Sequence, residues 1–330
     1  MNGSLVRGLL IAALWVRVLL ESEVVSAQNI PEEYESMGGH GLGLNDAAVA
    51  SADGIAAVRV NPGLLSRQRI YNFACGYHWP TEGRDFYQAG VVDGKTSKIA
   101  AGISYTSFQE NYVYFRQSSQ ASVNDAPIAR RGSIALSQSF EQWSIGFGVT
   151  YVEGFPFWSE MVREPSQLSK PPLRKGLGAN AGISWTLSSN VDAGLAVENA
   201  SNKKISAYLP RTLRGGVSYR WSKDIQFLFD YRNRERIPEF ESLRPFDLDN
   251  VREAESLDAE QSLIGGFDAQ FYEVMRLTGS FGGSNDARRF AAAGLAITNK
   301  GFTIAYNVRR PNLQKNANHQ AISMSLDLSI

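Results

Sequence analysis

What most limits the folds open to this chain is an alternation of period two that returns fourteen times. In WSIGFGVTYV, Trp143, Ile145, Phe147, Val149 and Tyr151 fall on one side, and Ser144, Gly146, Gly148 and Thr150 on the other. Successive side chains of a strand leave opposite faces of the pleat, so each segment is a strand with two unlike faces. The segments begin near Ile70, Asp85, Lys98, Arg131, Trp143, Gly176, Val191, Arg211, Ile225, Gln261, Glu273, Ala287, Gly301 and His319. GLGANAGISWTL and ISMSLDLSI alternate best; DFYQAGVVD and EVMRLTGSFGG are weakest, with both faces partly apolar. The large apolar face needs an apolar neighbour. The small polar face suits water or another backbone better than a sandwich core.

The connections between these segments are sorted by length. Short links fall at 93–97, 141–142, 188–190, 223–224, around Tyr272, and at 298–300. Long ones alternate with them at 108–130, 153–175, 200–210, 235–260 and 310–318; Pro80–Arg84 and Ser284–Asp286 are short exceptions. Outer-membrane barrels place short periplasmic turns on one rim and long loops on the other, and an even strand number leaves both chain ends in the periplasm. A transmembrane strand needs ~9–11 residues. From Trp143 to Tyr151 the chain covers ~26 Å at ~3.3 Å per step, or ~20 Å of height at a tilt of ~40°. Trp79, Trp185, Trp221, Tyr105, Tyr219 and Tyr306 sit towards segment ends, where aromatic girdles form. The expected fold is all-β: a transmembrane antiparallel up-and-down barrel of about fourteen strands.

The N-terminus reads as an export signal. Arg7 precedes GLLIAALWV, Arg17 interrupts the apolar stretch, and Val25 and Ala27 occupy the small positions before a cut at Gln28. The expected division is a signal peptide at 1–27, an N-terminal periplasmic or plug segment at 28–68, and a barrel at 69–330 in the outer membrane of a Gram-negative bacterium. The lone cysteine, Cys75, has no intrachain disulfide partner and is read as a small apolar filler. With 33 basic and 33 acidic residues, nothing points to nucleic acid.

The inward face is built from small groups, including Gly102, Ser104, Thr106, Ser133, Ala135, Ser137, Gly146, Gly148, Gly178, Asn180, Gly182, Ser323 and Ser325. Among them stand Asp192, Glu198, Arg214, Arg220, Asp230, Arg232, Asp268, Arg276, Arg309 and Asp327. Fourteen strands lined this way leave a lumen that something must fill. The stretch SMGGHGLGLNDAAVASADGIAAVRVNPGLLSR (36–67) is suited to it. Asn45 or Asp46 would cap a short helix from Ala47 to Ala52, and Asn61-Pro62-Gly63 would turn the chain into the first strand at Ile70.

The run of Gly38-Gly39, Asp46, Asp53 and Asn61-Pro62, in DAAVASADGIAAVRVNPGLL, resembles the N-terminal signature of FadL-type outer-membrane proteins, the long-chain fatty-acid transporters. It is similar also to their PorV- and PorQ-type relatives associated with type IX secretion. Gly63 stands where those families usually have alanine. The motif spans about thirty residues, and strand count extends the likeness over the mature chain. Gly38, Gly39, Asp46, Asp53, Asn61, Pro62 and Gly63 are the implied plug and gate. The chain is short for a fatty-acid transporter.

Catalysis finds little support. There is no nucleophile elbow and no paired-histidine zinc motif, and His40, His78 and His319 are far apart. His78 falls on the inward phase of the first strand, where a hydrogen-bonded filler is the plain reading and a Ser-His lipase site the sharp one. Arg220, Asp230, Arg232 and Asp268 are expected to pair across neighbouring strands or to line a solute path with His78, Arg214 and Arg276. No cofactor or metal is expected. The connection 235–260 carries nine acidic against three basic residues and reads as a solvated loop, with a cation or a basic partner as the sharper alternatives. Phe155, Phe157 and Trp158 are candidate surface-loop contacts for a hydrophobic ligand or a protein. Two function classes remain: a plugged conduit for hydrophobic or amphipathic small molecules, and a barrel that holds or shuttles a secreted or surface protein. Outer-membrane lipid surrounds either one.

Overall fold

The computed structural model describes residues 47–80, 84–110, 128–154, 174–200, 211–234, 259–272, 274–285, 289–311 and 319–328. The expected signal peptide, Gly38, Gly39, Asp46, the aromatic loop with Phe155, Phe157 and Trp158, and nearly all of the acidic connection lie outside them. The first seven strands are β1 (Tyr71–Pro80), β2 (Arg84–Asp93), β3 (Ile99–Glu110), β4 (Ile128–Ser139), β5 (Trp143–Gly154), β6 (Arg174–Ser188) and β7 (Val191–Glu198). The others are β8 (Thr212–Arg220), β9 (Ile225–Arg234), β10 (Glu260–Phe271), β11 (Met275–Ser284), β12 (Arg289–Asn299), β13 (Phe302–Pro311) and β14 (His319–Leu328). Each pairs antiparallel with its sequence neighbours, and β1 pairs β14 from Tyr71↔Leu328 to Pro80↔His319, closing a fourteen-stranded barrel. A closed ring has no strand edge, which is what a hydrocarbon layer requires of a sheet.

Every strand begins within three residues of its expected start, the largest offset being β4, which starts at Ile128 and not Arg131. The links from β2 to β3, β4 to β5, β6 to β7, β8 to β9, β10 to β11 and β12 to β13 lie on one rim, and all are short. The two faces differ as the alternation requires. Phe147, Val149, Ile134 and Leu177 point outward and are 60%, 52%, 56% and 62% exposed, whereas Ser144, Thr150, Ser133 and Ala135 are buried. An apolar surface of that extent, running round the whole ring, is matched to acyl chains and not to water. Aromatic clusters edge it at both rims. Tyr77 and Trp79 stack at 5.6 Å beside Tyr87 and Tyr306 on the long-loop side, and Phe140 and Trp143 stack at 4.2 Å on the short-turn side.

Residues 47–70, before β1, lie within the ring. Helix α1 (Gly54–Val60) and a 3-10 turn over Pro62–Arg67 pack on the inward faces of β1 to β7 and supply most of the buried apolar cluster. One expectation fails here. Ala47 to Ala52 is not a helix: Ser51 and Ala52 donate to Ala48 O in a tight turn, and the helix starts at Gly54. The reason is that the first helical donors are capped from a distance. Gly54 N donates to Gln68 Oε1 at 2.9 Å and Ile55 N to Asn72 Oδ1 at 3.2 Å, while the Asp53 side chain caps nothing. Gly54 has φ +51°, a conformation that L side chains rarely adopt, and a Cβ there would strike Asn72.

Candidate functional site: the segment in the lumen

Asn61 is the hub of this segment. Its Oδ1 accepts from Gly63 N at 3.0 Å, which fixes the turn, and its Nδ2 donates to Val49 O at 2.7 Å and to Ile183 O on β6 at 3.1 Å. Pro62 opens the 3-10 turn, where its missing N–H costs nothing. Ser144 and Ser137, inward positions of β5 and β4, donate to Gly63 O at 2.6 and 3.1 Å, and Ser137 also bonds Ser66 at 2.8 Å. The wall yields space where the segment comes nearest. A Cβ on Gly146 would stand 2.3 Å from the Pro62 carbonyl carbon, on Gly182 2.0 Å from Asn61 Oδ1, and on Gly194 2.2 Å from Val49 O. Small inward residues are therefore keys fitted to one backbone.

Charged tethers hold the two ends. Arg67 donates through Nη1 to Thr186 at 2.5 Å and Asp192 at 3.2 Å, and through Nη2 to Gln142 O at 2.7 Å and Ser184 O at 3.3 Å. Burial pushes its pKa below the ordinary arginine value, with Asp192 pulling the other way. Asp53 faces Arg276 of β11 at 3.2 Å, and Arg276 also holds Asp268 of β10. Val49 N donates to Asp230 of β9 at 2.9 Å. Deeper still, Glu198 lies between Arg59 of α1 (3.8 Å) and Arg214 of β8 (3.5 Å), all three nearly inaccessible.

The residues singled out from sequence fall into three places. Asp53, Asn61, Pro62 and Gly63 belong to the segment; Arg214, Asp230, Arg232, Asp268, Arg276 and the buried His78 face inward; Arg220 stands half-exposed at the short-turn mouth, beside Asp192. Neighbouring strands pair their charges here: Arg232 faces Glu260 at 3.6 Å, Asp268 faces Arg276 and Arg220 faces Asp192, while Asp230 also accepts from the segment backbone. Among the described residues no cluster of His, Cys, Asp and Glu could hold a metal ion. Sequence reading missed Arg67, Asn72 and Gln68, whose roles depend on contacts across the lumen that no spacing encodes.

No protein-family profile matches the chain, and no characterised protein sequence does. Solved structures do. The toluene transporter TbuX of Ralstonia pickettii superposes with a TM-score of 0.57 at 11% identity, over 89% of this chain and 97% of its own. The CymD monoaromatic hydrocarbon channel gives 0.58 at 11% over 88% and 96%, and the toluene transporter TodX of Pseudomonas putida gives 0.57 at 12% over 93% and 99%. The chain shares the fold of these barrels. Identity this low speaks to architecture alone; what this barrel passes or holds depends on the chemistry of its own lumen.

Proposed function

We propose that the protein is a plugged conduit of the outer membrane for hydrophobic or amphipathic small molecules, with residues 36–67 as the plug. The observation that carries this reading is how the segment is held. The hydrogen bonds described above from 47–67 to the wall involve side chains, whereas the wall itself is a backbone ladder all round. Side-chain contacts can be exchanged one at a time, so the segment can be displaced while the ring stays closed. Asp53, Asn61 and Arg67 are the gate residues in this scheme, and the apolar exterior supports an outer-membrane location.

A second reading, a barrel that holds or shuttles a secreted protein, is favoured by the same segment's tethers to β4, β5, β6, β7, β9 and β11, which oppose displacement. One experiment separates the two. Deleting residues 36–60 should leave a heat-modifiable barrel that inserts into planar bilayers and conducts small ions more than the intact protein. Normal insertion with unchanged conductance would remove the plug and leave the second reading standing.

A further inference from the structure

At the short-turn mouth, beneath the segment, lies an open recess of about 650 Å³. Its lining holds three guanidiniums (Arg67, Arg69, Arg220) against the carboxylates of Asp192 and Glu141, a surplus of one positive charge. The three cations are not equivalent. Arg67 is committed to the segment's anchor, with all three of its nitrogens bonded to the wall. Arg69 donates to the backbone carbonyls of Ser97 and Lys95. Arg220 is half-exposed and, among the described residues, uses one terminal nitrogen on Asp192 and nothing else. Gln226, its register partner on β9, also lines the recess, and its side-chain amide makes no hydrogen bond among the described residues.

We propose that this recess is an anion site, taking a carboxylate or phosphate group on the unused edge of Arg220 with the Gln226 amide as second donor. A planar guanidinium offers parallel N–H groups that match either oxyanion, and a charge-assisted bond of this kind is about twice as strong as a neutral one. Asp192 does not cancel the site, because its charge is shared between Arg67 and Arg220 and fixed further by Thr186 Oγ1 at 2.7 Å. The volume admits a small organic anion or a lipid head group. The site needs only the seated segment seen here, so it stands whether or not the segment ever moves.

The test is calorimetric titration of the intact, detergent-solubilised protein with inorganic phosphate and, separately, with glutarate. Saturable binding of at least one, weakened roughly tenfold or more in Arg220→Gln, is the expected result. Arg220→Lys should fall between, since it keeps charge and loses the fork, and Gln226→Ala should weaken binding without changing heat-modifiable mobility. Repeating the titration in nanodiscs distinguishes the sources. Phosphate excluded by phosphatidylglycerol but not by phosphatidylcholine assigns the site to a lipid head group, and equal binding assigns it to a free solute. No saturable heat up to ~10 mM of either anion, or equal affinity in the intact protein and all three variants, overturns the proposal.

Discussion

The outer and inner faces of one strand obey different rules, and β5 shows both. Outward, Trp143, Ile145, Phe147, Val149 and Tyr151 need only be apolar and of fair size, since acyl chains adapt to any shape. Inward, Ser144 donates to the Gly63 carbonyl and Gly146 lies against the Pro62 carbonyl, so chemistry and volume are both prescribed. One face is specified as a class, the other position by position. Exchange of side chains should therefore be tolerated outside and punished inside, while reversal of polarity should be punished outside.

The largest effect should come from Glu198→Gln, on the inner side. Removing its charge leaves Arg59 and Arg214 facing each other in a buried tier, at a cost of about 3–5 kcal/mol in a urea titration of the refolded barrel. A neutral result would show that this tier is hydrated. Next comes Phe147→Arg, which puts a charge into the apolar band for ~2–4 kcal/mol near the bilayer midplane. Phe147→Leu should be nearly silent in the same assay, and equal loss in both would break the contrast. Gly146→Ala adds one methyl against backbone that has no room, costing about 1–3 kcal/mol. The smallest effect belongs to Gly132→Ala, on the outer face, where no atom lies within 4 Å of the new methyl. It should gain up to ~0.5 kcal/mol by restricting the unfolded chain.

This division also explains what could be read from the sequence. The strands were legible because a two-sided environment writes a period of two, and loop length alternated with rim. The lumenal fate of 47–67 was legible from complementary smallness, glycines and serines facing alanines and valines. The helix boundary was not, because Gly54 and Ile55 are capped by Gln68 and Asn72 from beyond the helix. Nor was the division of labour among lumenal charges. Asp230 and Asp268 look alike in sequence, yet one receives the backbone of Val49 and the other a guanidinium. Only the path of the segment decides which.

The placement of that segment bears on the order in which the molecule is put together. α1 packs against β1 to β4 and β7, and the 3-10 turn against β3 to β6, so its principal partners lie in the first half of the chain. The pairing of β1 with β14 joins residues from the two ends of the ring and is the most costly loop to close. A segment arriving after closure would have to find its place against glycine positions that fit its backbone closely. Wrapped first by the strands that follow it, the segment would be enclosed as the sheet curls, and the last seam would close on a filled lumen.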